Sequence, residues 1–409
     1  MSVAETQAAP APQRTGADVA PLPRVWLMMG VKDGDNAQIQ GLAEGLGWPF
    51  EVKRMIWRRT ELFTNLLLGP NLLGIDQAAS SPLDPPWPDL IISAGRRNEP
   101  VCRWVQRQAH RQGHRVRLVH VGRPWAYHEC FDLIVTTPQY RLPDKPMILQ
   151  NEAPLHRVTE ERLAHEGALW APRFAHLPRP YIAVMIGGNA GPYVFDDEAA
   201  DLLGRFASDM AKETGGSVLV TTSRRTPKAP VATLRAALDV PHLLFEWTKA
   251  GAENPFYGFI ALADRFIVTS DSMSMLTETA STLRPVHIFD LDDTTRSSRP
   301  LPGGRSDRPA VRTPWWLKRL RRFGFKPLVY RLAMAAGPIR VTRDVSLIHE
   351  RLTAEGRAAW MGEPFPQRTP QPFRDMERAV ARTRELFPSD GSSRPLPARA
   401  PTLERRHSP

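Results

Sequence analysis

Between residues 24 and 290 the chain repeats one pattern: a short block of apolar and β-prone residues, a break at small or polar residues, then apolar residues at helical spacing. The blocks RVWLMMG (24–30), FEVKRMI (50–56), DLIISAG (89–95), VRLVHVG (116–122) and FDLIVTT (131–137) read as strands. Between them, NAQIQGLAEGLG sets Ile39, Leu42, Ala43 and Leu46 on one helical face, and EPVCRWVQRQAHRQG reads as a helix with Pro100 early and Gly113 at its end. Strands alternating with helices argue for a parallel, doubly wound sheet. Pro172, Pro178 and Pro180 then mark a linker, and the pattern restarts at Tyr181. Strands are expected at 181–186, 217–222, 242–246, 265–269 and 286–289, with helices at 196–214, 254–263 and 273–282. The expected fold is therefore α/β, with two Rossmann-like domains joined near residue 175.

A chain of 409 residues is too long for one ordinary core, which agrees with two domains plus tails. The division is 1–22 as a disordered tail, 23–175 and 176–292 as the domains, 293–390 as a basic loop and C-terminal helices, and 391–409 as a second disordered tail. A last helix is expected near 373–386. The net charge of +11 suits nucleic acid, an anionic membrane or a phosphorylated substrate. No recognised nucleic-acid module accompanies it, so no nucleic-acid partner is expected. Cys102 and Cys130 are too few for a four-thiolate zinc site or a disulfide scaffold, and point to a reducing cytoplasm. No apolar run approaches the ~20 residues that span a bilayer, and the first 20 residues have no signal-like block.

Three small-residue corners fall where ligands of open α/β sheets bind, at strand C-terminal ends. MMGVKDGDNAQ (28–38) offers Asp35, with Asp33 second, as a general base or a hydroxyl-gripping group. The plain alternative is that Asp35 or Asn36 caps the helix. IGGNAGPYVFDDE (186–198) offers Gly187, Gly188 and Asn189, through which backbone can approach a phosphate, or a simple tight turn. FIVTSDSMSMLTETA (266–280) ends a strand at Ser270, Asp271 and Ser272 and starts a helix carrying Glu278. In the same domain TTSRRTP supplies Arg224 and Arg225, a fork for a pyrophosphate or a solvated surface. His120 reads as a core or cleft histidine, and Arg96, Arg97 and Asn98 as anion ligands or a helix cap. No G-x-S-x-G elbow surrounds Ser93, and no metal-ligand spacing is present.

The segment ADRFIVTSDSMSMLTETASTLRPVHIFD resembles the donor-sugar segment of GT-B glycosyltransferases, in particular the N-acetylglucosaminyltransferase that makes lipid II. That resemblance implies Ser270, Asp271 and Ser272 at the phosphates, Glu278 on the ribose, and GGNAG as the glycine loop. The histidine base of that enzyme has no counterpart in GVKDGDNAQ. GDNAQIQGLAEGLG, PDLIISAGRRNEPV, HVGRPWAYHECFDLIVTTPQY, TTSRRTP and NPFYGFIALADRFIVTSDSMSMLTE together resemble the mitochondrial fission ELM-type family, named for elongated mitochondria. The resemblance implies a GT-B-like fold, with the two domains facing a cleft, and a nucleoside-diphosphate sugar as partner, with no cofactor or metal. It leaves three readings open: a glycosyltransferase with a lipid-linked acceptor, a sugar-nucleotide epimerase, or a non-enzymatic membrane or organelle-division scaffold.

From Arg312 to Arg331 there are seven Lys/Arg and no acid, and Trp316, Leu320 and Phe323 share a helical face. Trp315, Trp316, Arg321, Arg322 and Phe323 suit an anionic membrane surface. KRMIWRRTELFTNLLLGPNLLGI repeats the mix. The alternative is internal packing of both apolar faces. The expected location is the cytoplasm, peripheral on the inner membrane.

Overall fold

The computed structural model describes residues 22–58, 69–191, 193–248, 253–292, 343–367 and 370–388. The basic aromatic residues Trp315 to Phe323, residues 1–21 of the first expected tail and the whole of the second lie outside these.

The first sheet contains β1 (Val25–Met29), β2 (Phe50–Arg54), β3 (Leu90–Ala94), β4 (Arg117–Val121), β5 (Leu133–Thr136) and β6 (Ile148–Gln150), in the order β2-β1-β3-β4-β5-β6, every pair parallel. The second contains β7 (Tyr181–Met185), β8 (Ser217–Thr221), β9 (His242–Phe245), β10 (Arg265–Thr269), β11 (Val286–Phe289) and β12 (Ala359–Trp360), in the order β12-β11-β10-β7-β8-β9, again all parallel. Side chains alternate across a strand, so an inner strand covered on both faces must be apolar throughout. In β1, Val25 and Leu27 enter one core while Trp26 and Met28 enter another. In β7, Ile182 and Val184 do the same opposite Ala183 and Met185.

Each sheet reverses its winding once, between β1 and β3 in the first and between β7 and β10 in the second. At such a switch point the loops leaving the two strands diverge and open a crevice. The helices α1 (Asp33–Leu46) and α2 (Asn98–Arg111) follow β1 and β3. The helices α3 (Glu160–Phe174), α4 (Asp197–Thr214), α5 (Lys228–Ala237), α6 (Phe256–Leu262) and α7 (Met273–Ala280) serve the second sheet, while α8 (Ser346–Ala354) and α9 (Asp375–Arg384) close the described chain.

β6, α3, α5 and β12 fall outside the sequence expectation. Pro172 lies inside α3 rather than in a linker, and Thr159 caps that helix by accepting from the Arg162 N–H at 3.1 Å. Although α3 precedes residue 175, its Trp170 and Phe174 pack with Phe259 in the second-sheet core. The region after 290 is shared between the domains: β12 and α8 join the second sheet and core, and α9 returns to pack on α1. Asp375, at the start of α9, accepts from the Glu152 and Ala153 N–H groups, both at 2.9 Å.

The chain thus crosses between domains twice, side by side. A Cβ placed on Gly41 of α1 would lie 3.0 Å from the His156 carbonyl, 3.2 Å from Arg157 Cγ and 3.1 Å from Met376 Cε. At the other end of α1 the domains meet again: a Cβ on Gly34 would stand 2.5 Å from Ser274 Oγ of α7.

Candidate active site at the two switch points

The crevice of the second sheet is built around a buried carboxylate. Asp271 is 1% exposed. Its Oδ1 accepts from Thr269 Oγ1 at 2.7 Å, and its Oδ2 faces Arg225 Nη1 at 2.8 Å. Thr269 Oγ1 in turn accepts from the Gly187 N–H at 2.9 Å. Burial raises the Asp271 pKa, and the Arg225 guanidinium opposes that rise. The chain N–H, hydroxyl, carboxylate, guanidinium fixes the loop after β7 against the turn after β8. Gly187 is required because a Cβ there would sit 2.3 Å from Asp271 Oδ2. Gly188 is required twice over: its φ is 105°, and a Cβ would meet the Arg225 carbonyl carbon at 2.5 Å.

This geometry corrects part of the sequence expectation. Asp271 does not line an anion site; it lies beneath the glycine loop as the counter-charge of Arg225. Arg224 and Arg225 do not form a fork. Arg224 is exposed, with no partner among the described residues, whereas Arg225 is held by Asp271. Ser270 is fully buried and accepts from the Leu291 N–H at 3.0 Å, so it ties β10 to the chain after β11. Asn189 closes its own loop by accepting from the Phe195 N–H at 2.8 Å. Ser272 precedes α7, and its hydroxyl makes no capping bond. The first N–H groups of α7 are left facing the crevice with a partial positive charge.

Behind that helix end stands Glu278, 5% exposed. Burial pushes its pKa up to about 7, against the pull of the Tyr257 hydroxyl and of Arg157 and Arg162. Tyr257 of α6 donates to Glu278 Oε1 at 3.0 Å. Arg157 and Arg162 both reach Glu44 of α1, with Arg157 Nε to Glu44 Oε2 at 3.0 Å, so the Glu278 surroundings extend into the first domain. Tyr257 was not singled out from the sequence, although it stands in the NPFYG block.

In the first sheet, Asn36 rather than Asp35 secures the loop after β1. Its Oδ1 accepts from the Gly30 N–H at 2.7 Å and its Nδ2 donates to the Gly30 carbonyl at 3.1 Å. Asp35 is left half-buried, 4.0 Å from Lys32 Nζ, and its Oδ2 would be 3.6 Å from a Cβ on Gly95 across the switch crevice. Asp33 is exposed. Asn98 donates to the Met28 and Ala94 carbonyls at 2.6 and 3.1 Å, locking the two switch strands together.

His120 is a core residue. It is fully buried, its pKa is driven down to about 3 by burial, and its Nδ1 lies 3.2 Å from Ser93 Oγ. Glu99, raised to about 7 by burial, stands 4.0 Å from His120 Nε2 and accepts from the Trp125 and Ala126 N–H groups. Arg96 lies on the Trp125 ring at 4.3 Å. His120, Ser93 and Glu99 are thus buried beneath the crevice of the first sheet. Tyr140 and Arg343, also unforeseen, meet at its rim: Arg343 hydrogen-bonds the phenol, and Asp344 N donates to the Gln139 carbonyl at 3.0 Å. Among the described residues no cluster of His, Cys, Asp and Glu could hold a metal ion, and no helix is long and apolar enough to cross a membrane.

Comparison with known proteins agrees with the blocks quoted above. The chain is 25% identical over 259 residues to the mitochondrial fission protein ELM1 of Arabidopsis thaliana, which covers 55% of this chain and 57% of that protein. It is 22% identical over 298 residues to the uncharacterized protein RP120 of Rickettsia prowazekii, covering 65% and 82%. Among solved structures, the UDP-GlcNAc 2-epimerase of Methanocaldococcus jannaschii aligns over 88% of this chain and 98% of its own, at 10% identity and a TM-score of 0.44, too loose to carry an argument about activity. A sequence model of the family described as Mitochondrial fission ELM1 matches residues 33–301. The chain belongs to the mitochondrial fission ELM1 family.

Proposed function

We propose that this chain is a glycosyltransferase that seats a nucleoside-diphosphate sugar on the second sheet and transfers the sugar to an acceptor entering from the first. The observation that carries the reading is the pairing of two features on one short helix: an uncapped N-terminus at the β7/β10 crevice and, behind it, a buried carboxylate oriented by Tyr257. The first suits a pyrophosphate and the second a pair of ribose hydroxyls. Ser272 and Arg224 complete the phosphate side, while the Gly187–Asn189 loop gives its N–H groups to Thr269, Asp271 and the Arg225 carbonyl and only shapes the floor beneath. Asp271 and Arg225 hold that backbone in place.

In the proposed step Asp35 takes the proton of an acceptor hydroxyl. The oxygen attacks the anomeric carbon, and the bond from that carbon to the phosphate oxygen breaks. The nucleoside diphosphate leaves with its pair of electrons, stabilised by preorganised N–H donors. The basic aromatic segment around Trp315 to Phe323 is the proposed membrane contact, and a lipid-linked acceptor is the proposed second substrate.

Calorimetry against UDP-, GDP-, CMP- and dTDP-sugars tests the donor assignment. Saturable binding of one of them that is weakened in Glu278→Ala supports it. No binding by any of the four, in folded protein, overturns it.

A further inference from the structure

The carboxylate behind α7 shares its cations with a second carboxylate in the other domain. Glu44 of α1 accepts from Arg157 Nε at 3.0 Å and from Arg162 Nη2 at 3.4 Å. The Arg162 guanidinium also lies over the Tyr257 ring, 5.2 Å from its centroid, and Tyr257 donates to Glu278 Oε1 at 3.0 Å. A continuous run of contacts therefore joins Glu44 to Glu278 through Arg162 and Tyr257. The Arg157 and Arg162 side chains are only 18% and 26% exposed, so water screens their charges in part. These two arginines are the cations that act on Glu278, and Tyr257 is its hydrogen-bond donor. α7 itself carries no other charged side chain.

Both arginines hydrogen-bond Glu44 directly and act on Glu278 through space. Glu44 therefore offsets much of the positive charge that would otherwise favour an ionised Glu278. We infer that Glu44, in the first domain, sets the charge carried by Glu278 through the arginines that the two share. Glu44, Arg157 and Arg162 are positioning residues in this arrangement, since they work through Glu278. The consequence for donor affinity rests on the ribose assignment proposed above; the charge coupling does not.

The test titrates Glu278 in the full chain by carbon-13 NMR with labelled glutamate, its resonance identified by its loss in Glu278→Gln. The wild-type midpoint is expected at about 7. Glu44→Gln should lower it by about one pH unit, the order of one Coulomb interaction at ~10 Å and an effective dielectric of ~20. Arg162→Gln should raise it. The opposite signs separate charge coupling from loosening, which would wet the carboxyl and lower the midpoint in both variants. The inference stands only if the two variants move the midpoint in these opposite directions; a midpoint unmoved by Glu44→Gln, or shifted the same way by both, overturns it. Calorimetry then reads the consequence. With the charged carboxylate holding ribose about tenfold more tightly than the neutral one, Glu44→Gln should bind a nucleotide sugar about threefold more tightly at pH 6 and equally at pH 8.5. Opposite midpoint shifts in a protein that binds none of the UDP-, GDP-, CMP- and dTDP-sugars support the inference and remove the nucleotide reading. A nucleotide sugar bound through Glu278 with the midpoint unmoved by Glu44→Gln does the reverse.

Discussion

Replacing Glu278 by Gln keeps the side-chain size and an acceptor for the Tyr257 hydroxyl, and removes only the charge. In the folded protein burial holds the Glu278 carboxyl at about 7, against an ordinary value of 4.5. The folded state therefore keeps its proton between those values while the unfolded state has lost it. Where the folded state binds more protons, stability falls as pH rises. The group's contribution is fully present below 4.5 and is lost as pH climbs through about 7. The gap corresponds to about 3 kcal/mol of penalty above pH 7. Glu278→Gln should accordingly raise unfolding stability at pH 8 by up to that amount and change it little at pH 4.5. Urea denaturation of both proteins at the two pH values measures this directly, and the comparison cancels other titrating groups. The same substitution should weaken nucleotide-sugar affinity about tenfold at pH 8, because a hydrogen bond to a charged acceptor becomes one to a neutral acceptor. If the variant is destabilised at pH 8, attraction to Arg157 and Arg162 outweighs burial and the reasoning about this carboxylate is wrong.

Three further outcomes are expected. Gly187→Ala should lose about 2–4 kcal/mol, because its Cβ would collide with Asp271 and the pinned loop cannot yield; thermal denaturation reads it, and a change under 0.5 kcal/mol counts against the pinned loop. Arg224→Ala should leave stability within about 0.5 kcal/mol and lower affinity for a diphosphate sugar more than for the nucleoside, whereas Arg225→Ala should destabilise by about 1–3 kcal/mol by orphaning Asp271; equal behaviour of the two variants would refute the assignment. Reversing Arg321 and Arg322 to Glu should abolish co-sedimentation with anionic vesicles at low salt while sparing nucleotide binding, and Trp315→Ala with Trp316→Ala should weaken it at low and high salt alike; wild type remaining in the supernatant at low salt removes the membrane proposal.

The strands were legible because burial on both faces leaves a continuous apolar block, so Val25–Met29 and Leu90–Ala94 announce themselves. β6 and β12 have three and two residues, too few to carry a period. α3 was lost because Pro172 reads as a breaker, yet it sits near the end of the helix, where core contacts of Trp170 and Phe174 outweigh one missing N–H. At the site, the position of Glu278 on its helix was legible. The directions of its neighbours were not: Ser270 turns toward the chain after β11 and Asp271 toward the loop after β7, a choice made by the flanking strands. Tyr257, Tyr140 and Arg343 act through partners distant in sequence, and a pairing of that kind leaves no local pattern to read.

The two adjacent crossings at Gly41 also have a kinematic meaning. Two chain segments seated side by side on one helix put the covalent links between the domains near one axis, so a rotation about it would disturb them least. The contacts of Gly34 with Ser274 and of Gln139 with Asp344 would resist it. Asp35 stands six residues from Gly41, about 9 Å along α1 at 1.5 Å per residue. A rotation of about 10° carries a point on that arm no more than ~1.6 Å, enough to make or break one hydrogen bond but not to open a wide channel. Glu44, three residues from the pivot on the other side, moves about half as far and can keep its grip on Arg157 throughout. The lever is short, so small angular changes suffice to set the distance between Asp35 and the second-sheet helix.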